Sequence, residues 1–86
     1  MKGILNCKIF DGYVNKEYEI NIKHRLFGKN KMNCAINGFV DDENRIGIIV
    51  HGRELYCYKQ DEHFSFVEKN DRVIMSDELM KIVIKI

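Results

Sequence analysis

The sequence predicts a small all-β protein, namely an antiparallel meander of about six to eight short strands that closes into a barrel or roll. Three observations predict this class. Apolar residues recur at every second position in run after run, which is the period of a half-buried strand. No long stretch carries apolar residues at helical spacing. Closure is favoured because it removes the exposed edges through which small sheets aggregate.

Length and composition predict a single domain over residues 1–86, because a chain this short cannot support two cores. The chain has 45% apolar and 31% charged residues, a composition typical of globular proteins. No apolar run approaches the ~20 residues of a transmembrane helix. The apolar run among the first residues is too short, and becomes polar too soon, for a signal peptide. We therefore expect a cytoplasmic location and no membrane partner.

The first two strands flank a loop at residues 11–16. A one-residue slip would turn every apolar side chain outward, so the apolar pattern sets the register. The predicted pairs are Leu5 with Ile22, Cys7 with Ile20 and Ile9 with Tyr18.

The third and fourth strands are predicted at residues 34–40 and 46–50. The inner side chains of the third strand are Cys34, Ile36, Gly38 and Val40. Keeping one face apolar places Val40 opposite Ile46 and Ile36 opposite Val50.

The strongest hairpin signal is the turn His51-Gly52-Arg53-Glu54, where glycine stands first of two central residues, as a type II′ turn requires. This turn pairs Val50 with Leu55 and Ile48 with Cys57. Further strands are predicted at 64–66, 73–75 and 80–86, with the last two joined by a turn at 76–78.

The turns of this meander alternate in charge, which predicts one acidic and one basic end. The acidic turns contain Asp11, 41–43, 61–62 and 77–78; the basic turns contain Lys29 and Lys31, His51 and Arg53, and the mixed segment 68–72. Opposite charges at two ends would orient a charged partner. Alternatively, turns are polar in any case and the signs alternate by chance.

The face opposite the predicted core carries apolar residues, and five of these outer positions form the candidate partner-binding face: Phe39, Gly47, Ile49, Tyr56 and Tyr58. The predicted registers place Phe39, Gly47 and Tyr58 in one row, so the glycine leaves a slot between two aromatic rings. Such a slot could bind a planar base or a partner's side chain. Alternatively, the aromatic rings only cover a strand glycine, or another segment buries this face.

The cations Lys29, Lys31, His51 and Arg53 are candidates for contact with an anion or phosphate. The segment 23–31 mixes cations with one aromatic residue, as phosphate-binding segments do. Because the formal net charge is only +1, a solvated strand end and turn explains the same composition.

The sequence contains no recognisable catalytic, metal or cofactor motif. Cys7, Cys34 and Cys57 lack the close spacing of zinc ligands and are expected to be buried thiols. Neither serine, Ser65 or Ser76, lies in a nucleophile motif, and no phosphate-binding glycine loop occurs. We expect no enzyme activity, no metal and no cofactor.

Two functions are therefore compared. The first is a non-enzymatic protein-interaction module, an inhibitor or adaptor, that uses the candidate partner-binding face to bind another protein or a second copy of itself. The alternative is a small barrel that binds nucleic acid or a nucleotide by stacking a base between Phe39 and Tyr58.

Overall fold

The computed structural model describes residues 16–85, which form eight strands and no helix. The strands are β1 (Glu17–His24), β2 (Gly28–Ala35), β3 (Gly38–Asp41), β4 (Arg45–Val50), β5 (Arg53–Tyr58), β6 (Ser65–Glu68), β7 (Arg72–Ser76) and β8 (Met80–Lys85). The all-β prediction is confirmed. The described part of the chain contains no helix long and apolar enough to span a membrane.

The strands form two antiparallel sheets. The larger has the order β2-β1-β8-β7-β6 and the smaller β3-β4-β5, and the described strands do not close into a barrel. The predicted β7–β8 hairpin is confirmed, but β1 pairs with β8 across the length of the chain. The strand predicted within residues 5–10, its pairing with β1 and the position of Cys7 lie outside the described residues.

Alternate residues of both sheets form one apolar core. In the larger sheet, Ile20 lies opposite Ile84, which lies opposite Val73. The fully buried side chains are those of Ile20, Ile36, Ile46, Ile48, Cys57, Val73, Met75, Ile82 and Ile84. This burial of apolar area is the main force holding the two sheets together.

The two described cysteines are buried thiols, as predicted. Cys57 has no exposed surface, and its burial raises the pKa of its thiol to about 12. Cys34 is 5% exposed, and burial likewise raises the pKa of its thiol.

The predicted third strand is in fact interrupted. β2 ends at Ala35 and β3 begins at Gly38. Gly38 lies opposite Ile49, and the Asn37 N–H also donates to the Ile49 carbonyl at 2.7 Å. Asn37 and Gly38 thus both lie opposite Ile49, and two residues opposite one is the arrangement of a β-bulge.

This bulge reverses the inward and outward alternation beyond Asn37. Phe39 lies opposite Ile48 and packs against the core, whereas Val40 lies opposite Gly47. The predicted pairing of Val40 with Ile46, and the outward direction of Phe39, are therefore wrong. The inward direction of Ile36, which precedes the bulge, is confirmed by its complete burial.

The β4–β5 turn lies one residue earlier in the chain than predicted. Val50 pairs directly with Arg53, leaving His51 and Gly52 as a two-residue loop with φ angles of 51° and 75°. Two positive φ values define a type I′ turn, so the predicted type II′ turn is wrong. The register between β4 and β5 therefore differs from the predicted one by two residues, and Ile48 pairs with Leu55 and Ile46 with Cys57. A shift of two keeps every side chain on its predicted face.

The segment 23–31, predicted as a solvated strand end and turn, contains the end of β1, a turn and the start of β2, and its residues other than His24 are exposed. β1 continues to His24, and β2 starts at Gly28 after the short turn 25–27. Gly28 has a φ of 84°, a conformation that glycine adopts without steric cost.

Candidate functional site

The predicted row of Phe39, Gly47 and Tyr58 does not form. Gly47 lies opposite Tyr56, and Tyr58 lies opposite Arg45. Phe39 is on the inner face of its sheet and packs against the core. The bulge at Asn37 and the one-residue shift of the β4–β5 turn place these residues apart, so no base can stack between Phe39 and Tyr58.

Gly47 is a point of close backbone approach rather than the floor of a slot. A Cβ atom built on Gly47 would lie 2.0 Å from the Leu55 carbonyl oxygen and 2.5 Å from the Tyr56 Cα. Glycine is required here because β5 occupies the space of a side chain.

The two tyrosines of the candidate partner-binding face contact each other. Their rings meet edge to face with centroids 5.4 Å apart, and their hydroxyl oxygens are 3.5 Å apart. The Arg45 guanidinium lies 4.8 Å from the centre of the Tyr56 ring. The hydrogen bond with Tyr58 and the adjacent Arg45 lower the pKa of Tyr56, whereas the same hydrogen bond raises that of Tyr58.

Ion pairs hold Arg45 over this face. Arg45 contacts Asp42 at 2.9 Å and Glu54 at 3.2 Å. The pKa of Asp42 is lowered by the Asn44 N–H that donates to it and by Arg45. Ile49, the remaining predicted residue, is half-buried and lies opposite Glu54. The surface is thus a mixture of charged and aromatic groups, not a continuous apolar patch.

The four predicted anion-contact residues separate into two pairs. Lys29 and Lys31 lie on the outer face of the larger sheet, since they alternate with the inward Asn30 and Met32. His51 and Arg53 line a groove at one end of the two sheets.

The predicted acidic and basic ends are not cleanly separated. Some acidic turns do adjoin, because the Glu78 N–H donates to the Asp61 carboxylate at 3.4 Å. However, Arg25, in the turn between β1 and β2, forms an ion pair with Glu78 at 3.2 Å. A cationic turn and an acidic turn therefore share one end.

The groove beside His51 and Arg53 is a candidate binding site that both sheets line. It is about 460 Å³ in volume and lies where the inner faces of the two sheets diverge. Its walls are largely apolar: Ile22, Phe27, Met32, Val50, Leu55 and Met80. We call this the mouth groove.

The rim of the mouth groove is polar and contains no carboxylate among its described lining residues, which include His24, Asn30, His51 and Arg53. The His24 Nδ1 accepts the Leu26 N–H at 3.0 Å and the Phe27 N–H at 3.3 Å, and its ring lies 4.6 Å from that of Phe27. Phe27 is thus fixed at the groove although it is 84% exposed.

A smaller groove of about 280 Å³ continues from the mouth groove along β5 and shares His24 and Met80 with it. β5 is an edge strand among the described residues. The Lys59 N–H donates to the Asn44 carbonyl. Because hydrogen bonds to a neighbouring antiparallel strand come from every second residue, the N–H and C=O groups of residues 54, 56 and 58 point away from β4. The Tyr58 N–H donates to the Asp77 carboxylate at 3.0 Å, and no residue of the described range 16–85 bonds the outward backbone groups of 54 and 56.

The apolar walls of the mouth groove and the role of His24 were not predicted from the sequence. A usable signal was present: along β1 and β2 the inward positions change from apolar residues to His24, Asn30 and Gly28 at one end. Inward polar residues at a strand end mark where a core opens to solvent. Among the described residues, no cluster of His, Cys, Asp and Glu could hold a metal ion.

Comparison of the chain with protein-family models, with curated proteins and with solved structures finds no match.

Proposed function

We propose that this protein is a non-enzymatic interaction module, acting as an adaptor or inhibitor, that binds an extended segment of a partner protein in the mouth groove. The observation that carries the proposal is the composition of that groove: apolar walls, with His51 and Arg53 at a rim that holds no carboxylate among its described residues. A pocket with apolar walls and a few polar groups is typical of binding sites.

The chemistry of the groove indicates the chemistry of its ligand. Phe27, Met32 and Met80 present apolar surface, and methionine adapts its shape to different side chains. Arg53 offers a carboxylate two parallel hydrogen bonds. We therefore propose a segment with a large apolar side chain next to Asp, Glu or a terminal carboxylate.

The edge of β5 supports an extended conformation for this segment. Strand addition uses backbone groups for affinity and pockets for alternate side chains. The backbone groups of Glu54 and Tyr56 that no described residue bonds adjoin the groove, and the bond from Tyr58 to Asp77 ends this stretch. The bound segment would be short, pairing with these two residues only.

A displayed library of random peptides, selected on the wild-type protein, tests the proposal. We expect enriched peptides to combine an apolar residue with an acidic one. Phe27→Ser and Arg53→Glu should each weaken binding about tenfold or more, since each removes an anchor from a small interface. Both residues are exposed, so the fold should survive their substitution.

Val67→Ser and Lys69→Glu are matched controls, because these exposed residues do not line the mouth groove. Equal loss of binding in test and control variants would refute the proposed site. Sedimentation equilibrium examines self-association: a dimer that Phe27→Ser dissociates would show that a second copy fills the groove, and would overturn the peptide assignment.

A further inference from the structure

We infer that the outer face of the larger sheet binds the phosphate backbone of duplex nucleic acid without sequence preference. The inference starts from three lysines in one row across three strands. Lys23 of β1 lies directly opposite Lys29 of β2 and directly opposite Lys81 of β8. All three side chains are exposed.

Like charges directly opposite each other destabilise a sheet. None of the three lysines forms an ion pair with any described residue. Glu19, on the same face, is already paired with Lys31 at 3.7 Å and Lys85 at 3.0 Å. Asp77 and Glu78 lie beside Lys23 and Lys81 at one end of the sheet, but Glu78 is paired with Arg25 at 3.2 Å and Asp77 accepts the Leu79 and Met80 N–H groups. The row therefore concentrates positive charge that no ion pair among the described residues engages.

The whole described face is basic. Outward positions carry Lys23, Lys29, Lys31, Arg72, Lys81 and Lys85 against Glu17 and Glu19. The formal net charge of the chain is only +1, so this face is far more positive than the molecule as a whole. Such a field attracts and orients a polyanion.

The geometry favours a duplex over other polyanions. Lys29 and Lys81 are separated by two strand spacings, about 10 Å, close to the roughly 12 Å width of the major groove between two phosphate backbones. No aromatic side chain lies at the described outward positions, so the stacking that holds single strands is absent. The outward apolar residues Val67, Ile74 and Val83 are β-branched and short, unlike the large side chains that enter membranes.

Fluorescence anisotropy with two labelled duplexes of unrelated sequence tests the inference at about 50 mM and about 200 mM salt. We expect both duplexes to bind alike, and more tightly at low salt. In the triple variant Lys23→Gln, Lys29→Gln, Lys81→Gln, the association constant at low salt should fall by a factor of about ten or more. The slope of the logarithm of the association constant against the logarithm of the salt concentration should become shallower by about two to three.

The control variant Lys16→Gln, Arg53→Gln, Lys69→Gln removes the same charge from exposed positions away from the row and should retain duplex binding. Equal losses in both variants would overturn the site, as would no binding at low salt. Polyglutamate or anionic vesicles binding as well as the duplex would assign the face to an acidic protein or a membrane instead. Peptide binding in the mouth groove should not change in the lysine variant, and circular dichroism checks that both variants fold.

Discussion

Replacing Gly47 with alanine is the sharpest test of how the smaller sheet is held together. The new Cβ would lie 2.0 Å from the Leu55 carbonyl oxygen, 2.5 Å from the Tyr56 Cα and 2.7 Å from the Tyr56 Cβ. Two of these atoms belong to the backbone of β5, which cannot rotate away. β4 and β5 must therefore separate to admit a single methyl group.

The expected cost follows from two opposing effects. Overpacking costs about 1 to 3 kcal/mol, and contacts with backbone place Gly47→Ala at the upper end of that range. Replacing a strand glycine returns about 0.5 to 1 kcal/mol, because alanine loses less conformational freedom on folding. The net loss of unfolding free energy is about 2 kcal/mol, which lowers the melting temperature of a domain this size by roughly 8 to 16 °C.

Thermal unfolding followed by circular dichroism measures this change. Gly38→Ala is the matched control, because a Cβ there would meet only the Ile49 side chain, with its closest atom at 3.4 Å. We expect this control to melt at or slightly above the wild-type temperature. A Gly47→Ala protein that melts within a few degrees of wild type would show that β4 and β5 do not approach as closely as described.

Three further changes test other parts of the structure. Asp41→Asn should cost about 1.5 to 3 kcal/mol in urea unfolding, because it leaves Lys59, 13% exposed and 2.8 Å from Asp41, without its charged partner; no loss would mean that this pair contributes nothing. Lys85 lowers the pKa of Glu19, and the Asn44 N–H lowers that of Asp42. Both carboxylates therefore stabilise the folded state fully above their unfolded pKa values of about 4.3 and 3.9, and this stabilisation is lost as pH falls below those values toward the lower folded pKa values. An unchanged urea midpoint from about pH 5 to pH 3 would contradict this. The Cys57 thiol should resist alkylation at pH 8 in the folded protein and react in urea, because it is fully buried with a pKa of about 12; mass spectrometry of the labelled peptide would detect an early reaction that contradicts this burial.

Local patterns predicted most strands and the inward side chains of several of them. Ile20, Ile46 and Ile82 recur at the strand period and are all completely buried. The predicted inward direction of Cys57 is correct although the predicted register between β4 and β5 is wrong. The register is wrong by two residues, and a shift of two leaves each side chain on the same face of a strand. The bulge at Asn37 was a one-residue change, and it exchanged the faces of Phe39 and Val40, although Val40 is still buried, at 6% exposed.

The candidate site was predicted only in fragments. His51 and Arg53 were recognised as cations near a turn, but their apolar partners Ile22, Met32 and Met80 come from three strands distant in the chain. Lys29 was recognised too, whereas its alignment with Lys23 and Lys81 depends on pairing between the two ends of the described chain. No local pattern contains that pairing.

The alternation of apolar residues by itself determined that this protein is built from β-strands, since burying one face of a strand requires that period. Only the tertiary structure decided which strands are neighbours, because apolar faces of the same chemistry can pair in many orders with similar gain. Hydrogen bonds of the bulge and the two-residue turn then selected the registers. The mouth groove and the lysine row are products of that selection, and they are the surfaces on which the proposed functions depend.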